Sequence, residues 1–276
     1  MRTLLVPRTS YLIPRASSLA HKEAIISTPP NPPYLSVVVP AYNEEQRLPE
    51  NLPKIMHYLR QQPYSWEIIV VDDGSDDSTA RIVEELQKQE PRLTLVRNPH
   101  QGKAYTVRTG VLAAQGQYVF HCDVDLSMPI TELAKFLPPL ESGYDVAIGS
   151  RTIRYNFPWY RRIMSTVFSW VRRLAVGGFR DTQCGFKCYR TAVAKELFRR
   201  TRLYSTQGQT LKGPAVTGFD VEVLFLAVKF GYKVAEVPVE WYYDAHSKVN
   251  PIKDSLRNLS DVLHVRLNDW RGLYES

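Results

Sequence analysis

The chain has 276 residues, 44% of them hydrophobic and 23% charged, which suits one large α/β domain or two small ones and excludes a low-complexity or disordered protein. No apolar run reaches the roughly 18 residues of a membrane span. The net charge of +7 is unevenly spread. The stretch from Pro158 to Arg200 holds the pairs Arg161-Arg162, Arg172-Arg173 and Arg199-Arg200 against only Asp181 and Glu196, an excess that calls for an anionic partner: a phosphate, a membrane surface or nucleic acid. Cys122, Cys184 and Cys188 are too few for a disulfide framework and are read as buried thiols in a reducing compartment.

Residues 1–33 carry Arg2, Arg8, Arg15 and Lys22 with no acid before Glu23, and end in the proline cluster 29–33. They are read as a disordered tail, with a targeting segment as the alternative. A folded domain is expected over 34–250, followed by a C-terminal amphipathic helix over 251–276. Leu35–Val39 is a continuous apolar run and predicts a buried strand, closed by Pro40-Ala41-Tyr42-Asn43-Glu44. Leu48–Arg60 predicts an amphipathic helix on Leu52, Ile55, Met56 and Leu59. Glu67–Val71 is the second strand and ends in Asp72-Asp73-Gly74-Ser75; a helix follows over 79–89 and a short strand over 93–96. Gly102-Lys103 opens a helix to about Ala114, and Tyr118–Phe120 leads into His121-Cys122-Asp123-Val124-Asp125. A helix is expected over 131–140, then a strand over 145–148 ending in Gly149-Ser150-Arg151.

The second half is less regular. Its expected elements are helices over 159–176, 191–200, 219–230 and 252–270, strands over 185–189 and 233–241, and a loop over 203–218. Strands alternating with helices predict a doubly wound α/β sheet, mostly parallel, with acidic groups on one rim.

That rim is where open α/β sheets bind ligands. No G-x-G-x-x-G follows the first strand, no Walker loop occurs, and no G-x-S-x-G elbow is found. What remains is Glu44, Asp73, Asp123 and Asp125 with nearby cations. Oxygen-only ligands suit Mg²⁺ or Mn²⁺, which take one or two carboxylates together with substrate phosphates. A lone D-x-D is also what a solvated loop carries. Its companions point instead to a nucleotide-sugar diphosphate whose charge is neutralised as it leaves.

Val37-Val38-Val39-Pro40-Ala41-Tyr42-Asn43-Glu44, Val70-Val71-Asp72-Asp73-Gly74-Ser75, Asp123-Val124-Asp125 and Gly149-Ser150-Arg151, in that order, resemble the motif series of family 2 glycosyltransferases. Arg180–Lys187, Gly218–Glu222 and Glu236–Val239 are similar to the dolichyl-phosphate glucosyltransferase branch and its polyprenyl-phosphate relatives. The resemblance implies a single-domain nucleotide-sugar-binding sandwich of the GT-A type. It also implies inverting, metal-dependent transfer of glucose from UDP-glucose to a dolichyl or polyprenyl phosphate.

By that resemblance Pro40, Tyr42, Glu44 and Asp73 hold the nucleoside, and Lys103, Asp123 and Val124 complete the nucleotide-sugar set. Asp123 and Asp125 take the metal, Arg151 and Arg162 the acceptor phosphate, and Ser247-Lys248 a loop that closes on the diphosphate. Asp181 falls where relatives carry a proposed catalytic carboxylate; the alternative is a structural partner of a buried arginine. A phosphate monoester, with its second pKa about 6, is already a dianion at neutral pH and needs no general base.

Other readings are a different donor such as GDP-mannose, a glycan acceptor, or a non-catalytic nucleotide-binding protein at a membrane. No nucleic-acid partner is expected, and a second copy of the chain is a further candidate partner. The expected location is cytoplasmic, peripheral at the cytosolic membrane face. Arginines among apolar residues in 159–176, and the repeat Leu256, Leu259, Leu263, Leu267 and Trp270, supply two candidate interfacial helices.

Overall fold

The computed structural model describes residues 31–155, 178–203, 218–242 and 251–275, with backbone alone at 153–155 and 251–258. Among these residues, seven strands form one sheet in the order β3-β2-β1-β4-β6-β5-β7. They are β1 (Leu35–Ala41), β2 (Trp66–Asp72), β3 (Leu93–Arg97), β4 (Tyr118–His121), β5 (Val146–Tyr155), β6 (Lys187–Arg190) and β7 (Val234–Tyr242). β1 pairs in parallel with β2 and β4, β2 with β3, and β5 with β7. β6 is antiparallel to both its neighbours, β4 and β5. The mostly parallel α/β sandwich expected from the alternation is therefore present, with one reversed strand, β6, inside it.

The strands are apolar on both faces because both faces are covered. Val37, Val39 and Phe120 point into one layer with Leu52, Ile55 and Leu59 of α1 (Leu48–Arg60). Val38 and Val119 point into the other layer with Val107 and Val111 of α3 (Lys103–Ala113). α2 (Thr79–Gln87) lies beside β3. The helix expected over 131–140 is instead a 3₁₀ segment, Ile130–Lys135, and a short α4, Leu137–Glu141. Pro138 and Pro139 lack N–H donors and fit only a first helical turn, so the helix restarts at Leu137.

α5 (Thr191–Arg200), α6 (Phe219–Lys229) and the terminal α7 (Pro251–Trp270) complete the second layer. α7 is tied down by polar contacts: Asp261 accepts the Gly218 N–H at 2.8 Å, and buried Tyr274 donates to Glu222 at 2.7 Å. Lys229 pairs with Asp269. Val262 and Val265 are buried, while Leu259, Leu263 and Leu267 are exposed and Trp270 is 84% exposed. At about 3.6 residues per turn the centre of the Leu/Trp stripe lies about a third of a turn around the helix from the valines. Its leucines do not pack on the sheet.

Candidate active site

The chain runs from β1 outward to β2 and β3, then returns to place β4 on the other side of β1. This reversal is the switch point over which such sheets open a crevice. Pro40 helps to open it. The Val38 carbonyl accepts from Cys122 at 3.1 Å and the Ala41 carbonyl from Asp73 at 2.9 Å, so alternate residues of β1 face alternate neighbours. Pro40 faces the β4 side, where the ladder has ended at Val38–His121.

On the β2 side of the crevice, Asp73 is 2% exposed and holds the loop before α3. Its Oδ1 accepts the Gln101 N–H at 2.9 Å; its Oδ2 accepts the Gly102 N–H at 2.8 Å and meets His100 Nδ1 at 2.8 Å. A carboxylate offers about four lone-pair sites, so one acceptor site on Oδ1 is left for a ligand donor. The His100 ring stacks on Tyr42, with centroids 4.0 Å apart and planes at 7°. Burial, with Asp76 and Asp73 nearby, raises the Tyr42 pKa and keeps its hydroxyl protonated. Gly74 has φ +70, and a Cβ there would stand 2.8 Å from the His100 nitrogen, so no other residue fits. The loops after β1 and β2 are stitched together: Asn43 N–H donates to Ser75 at 2.9 Å, Glu44 N–H to Thr79 at 2.8 Å, and Glu45 N–H to Asp77 at 3.2 Å. The Glu44 side chain pairs with Arg47 at 3.3 Å.

On the β4 side the site is made of charge. Lys103, at the start of α3, puts Nζ 2.5 Å from Asp123 Oδ1. Burial pushes the Asp123 carboxyl up, but Lys103 outweighs it and the net shift is down. Burial and the neighbouring Asp123 raise Asp125, whose Oδ1 accepts the Ser127 N–H at 2.9 Å. Leu126 sits at φ +47, a strained conformation for a residue with a branched side chain. Asn51 of α1 braces the turn by donating to the Val124 carbonyl at 2.9 Å. Gly185 backs onto Asp123 so closely that a Cβ would lie 2.3 Å from Oδ2. Among the described residues no group of three or more His, Cys, Asp or Glu side chains could hold a metal alone. Two carboxylates in a glycine-lined cradle fit a hard divalent ion that shares its remaining positions with phosphate oxygens and water.

Below this surface, Lys187 is fully buried and contacts the Cys184 carbonyl at 2.5 Å and Asp220 at 2.7 Å. His121 is buried with neither ring nitrogen partnered by the described residues. Burial, then the charges of Lys187 and Lys103, drive its pKa well down, so it is neutral. The strand expected to end at 148 continues to Tyr155, and within it, at the register break between Ser150 and Ile153, Arg151 forks onto Asp181, Nε to Oδ2 at 2.6 Å and Nη2 to Oδ1 at 3.0 Å. The Gln183 N–H also donates to Asp181 Oδ1 at 3.1 Å. Burial works against the Arg151 cation, but Asp181 dominates and raises its pKa.

The sequence pattern of glycosyl transferase family 2 matches residues 36–202. The chain belongs to that family. Proteins named dolichyl-phosphate beta-glucosyltransferase are similar to this glycosyltransferase. That of Drosophila melanogaster is 34% identical over 253 residues, 84% of this chain and 74% of the relative. That of Homo sapiens is 31% identical over 262 residues, 87% of this chain and 77% of the relative. Among solved structures, glucosyl-3-phosphoglycerate synthase from Mycobacterium tuberculosis, with Mg²⁺ and uridine diphosphate, superposes with TM-score 0.58 at 16% identity, covering 84% of this chain and 79% of that one. A Pyrobaculum calidifontis mannosyltransferase, with GDP-Man and Mn²⁺, gives 0.56 at 21% identity over 88% and 66%. These two likenesses establish the GT-A-like fold.

The family 2 glycosyltransferase thus brings most of the residues singled out from sequence to one rim. Pro40, Tyr42, Glu44 and Asp73 lie at the ends of β1 and β2; Lys103, Asp123, Val124 and Asp125 lie around the end of β4; Arg151 and Asp181 meet beside β5. Arg162, Ser247 and Lys248 lie outside the described residues, as does the basic helix expected over 159–176. Sequence reading singled out neither His100 nor Asn51, gave Gly185 and Asp220 no role of their own within the motifs that contain them, and counted Lys187 in the charge excess between Pro158 and Arg200. A lysine between Phe186 and Cys188, in a run that reads as a buried strand, was the available signal.

Proposed function

We propose that this glycosyltransferase moves glucose from UDP-glucose to a dolichyl or polyprenyl phosphate, with inversion, at the cytosolic membrane face. The observation that carries the donor half is the pairing of an aromatic, hydrogen-bonding wall (Tyr42, His100, Asp73) with a charge-rich floor (Lys103, Asp123, Asp125) across one crevice. A nucleoside fits the first and a diphosphate the second. The names borne by the relatives in flies and humans support glucose as the sugar and dolichyl phosphate as the acceptor.

Tyr42 and Asp73 orient the nucleoside, with Pro40 and Glu44 shaping its entrance and Val124 packing against the donor. Asp123 and Asp125 hold Mg²⁺ or Mn²⁺, which when bound neutralises the departing diphosphate. Lys103 adds a cation near the same oxygens. Arg151 with Arg162 orients the acceptor phosphate, and Ser247-Lys248 closes over the diphosphate. The acceptor dianion attacks the anomeric carbon directly, so Asp181 serves to aim Arg151. The folded unit begins at 34 and takes in the terminal helix, whose Val262 and Val265, with Tyr274 after it, are buried in the core; the outer face of that helix attaches it to lipid. The exposed Leu259, Leu263, Leu267 and Trp270 enter the interface, with Arg271 beside the stripe.

The test is a donor screen with radiolabelled nucleotide-sugars, polyprenyl phosphate and Mg²⁺ or Mn²⁺. Label from UDP-glucose should enter the organic-soluble lipid. Transfer from GDP-mannose alone, or none to lipid from any donor, overturns the assignment. Attachment is tested by flotation with anionic liposomes. Wild type should float at low salt, and Leu263→Asp/Trp270→Asp should not. Equal flotation of both would remove α7 from the interface.

A further inference from the structure

The stretch Arg180–Lys187 runs as a strap from beside Arg151 to beside Asp123 before it enters β6. Its C-terminal part is fixed by backbone contacts and close packing. The Gly149 N–H donates to the Phe186 carbonyl at 2.9 Å, and the Lys187 ammonium holds the Cys184 carbonyl at 2.5 Å. A Cβ on Gly149 would stand 2.5 Å from Cys184 Sγ, so β5 and the strap touch there. The N-terminal part is held differently. Arg180 is exposed, and a glutamate of the neighbouring strand β7 reaches its backbone. Glu236 Oε1 accepts the Arg180 N–H at 2.6 Å and the Asp181 N–H at 3.3 Å. The carboxylate placed by that contact is the one onto which Arg151 forks.

Arg151 needs such support because of where it stands. From Ser150–Pro238 to Ile153–Glu240, β5 advances three residues while β7 advances two. An extra residue of this kind leaves the ladder and re-aims its side chain, so regular pairing does not set the direction of Arg151. Asp181 sets it, with the Trp241 ring of β7 lying 5.7 Å from the guanidinium carbon. A carboxylate that receives backbone N–H groups makes a short and directional contact. Glu236 thereby fixes the support on which the arginine rests.

We propose that Glu236 is a positioning residue for the acceptor: it holds the backbone at Arg180–Asp181, Asp181 aims Arg151, and Arg151 receives the lipid phosphate. This rests on the reading of Arg151 as an acceptor-phosphate ligand. Because the far end of the strap abuts Asp123, the segment that aims Arg151 is also held in register with the donor's diphosphate end.

The experiment measures, by calorimetry, binding of farnesyl phosphate and, separately, of UDP with Mn²⁺, with transfer kinetics beside them. Glu236→Ala should weaken farnesyl phosphate and raise the acceptor KM by about five- to tenfold. UDP affinity and kcat at saturating acceptor should both stay within about twofold. Glu236→Gln keeps an oxygen acceptor at the same reach and should stay within about threefold of wild type throughout. In an Arg151→Ala background, Glu236→Ala should add less than about twofold, because the relay ends at the guanidinium. Equal losses of farnesyl phosphate and UDP in Glu236→Ala would show a general structural role and overturn the proposal. A Gln variant as damaged as the Ala variant overturns it too, as does a full additional loss without Arg151. Should Glu236→Ala fail to fold, Glu236→Asp decides, since it keeps the charge and draws the oxygen back by one methylene. An unchanged acceptor KM in that variant overturns the relay. Arg151→Ala binding farnesyl phosphate like wild type would instead sink the acceptor reading of Arg151.

Discussion

The two halves of the crevice are built from different materials. At the β2 side, Asp73 is held by backbone N–H groups of Gln101 and Gly102, and neighbouring loops are sewn together by short-range bonds. The β4 side adds three pairs of full charges, Lys103 with Asp123, Lys187 with Asp220 and Arg151 with Asp181, to its hydrogen bonds with the backbone. Hydrogen bonds to the backbone fix geometry and tolerate little movement. Charge pairs reach further and can be exchanged when a new ion enters. A rigid wall suits the uncharged nucleoside end of the donor proposed above, and a charged floor suits its diphosphate end.

The largest expected break in this contrast is Asp125→Asn. It keeps shape and removes charge, so transfer should fall by about 10²-fold or more, while binding of uridine, which has no phosphate, should stay within about twofold. Transfer rates and calorimetry read the two halves separately. The converse break is Gly74→Ala. With φ +70 and a Cβ 2.8 Å from the His100 nitrogen, it should cost about 2 kcal/mol of stability and weaken UDP by about tenfold, with Mn²⁺ affinity nearly unchanged. Urea denaturation and calorimetry test it. Loss of metal binding alone would show that the halves are not separable.

Asp181→Asn asks whether a charge pair orients or reacts. An orienting Asp181 predicts an acceptor KM about tenfold higher, an unchanged donor KM and an unmoved pH profile of kcat. A collapsed kcat with a lost titration limb would make it the base. The smallest effect belongs to Asp77, on the wall side. Burial pushes its carboxyl up, but hydrogen bonds from Thr79 and Glu45 outweigh that and lower it. Its stabilisation is therefore complete above the ordinary aspartate value of about 3.9 and is lost as pH falls through the lowered folded value. Asp77→Asn should cost up to about 1 kcal/mol at pH 7 and flatten the acid limb of urea midpoints taken between pH 6 and 3.

The same contrast explains what could be read from sequence. The wall is local: Asp72-Asp73-Gly74 announces a strand ending in a turn, and the apolar runs of β1, β2 and β4 announce buried strands. The floor is assembled from residues up to about a hundred positions apart. Nothing near Lys187 says that its partner is Asp220, and nothing near β6 says that it runs antiparallel between β4 and β5. Pro138-Pro139 was readable as a helix restart and was overlooked. His100 was hidden because its role comes from stacking on Tyr42, 58 positions earlier.

The reversed strand also bears on how the chain is made. β4 and β5 follow each other in synthesis, yet they cannot pair, because the place between them belongs to β6. Until Lys187–Arg190 has left the ribosome, the β6-side edge of β4 is open and β5 has neither of its partner strands. At about 5–20 residues per second, the stretch between Tyr155 and Lys187 leaves that place open for seconds. During this interval a nascent chain carries the open edge of β4 and an unpaired apolar β5, both able to capture a foreign strand. Fragments ending before residue 187 should be prone to aggregation for that reason, and guarding these edges is the task a co-translational chaperone would meet here.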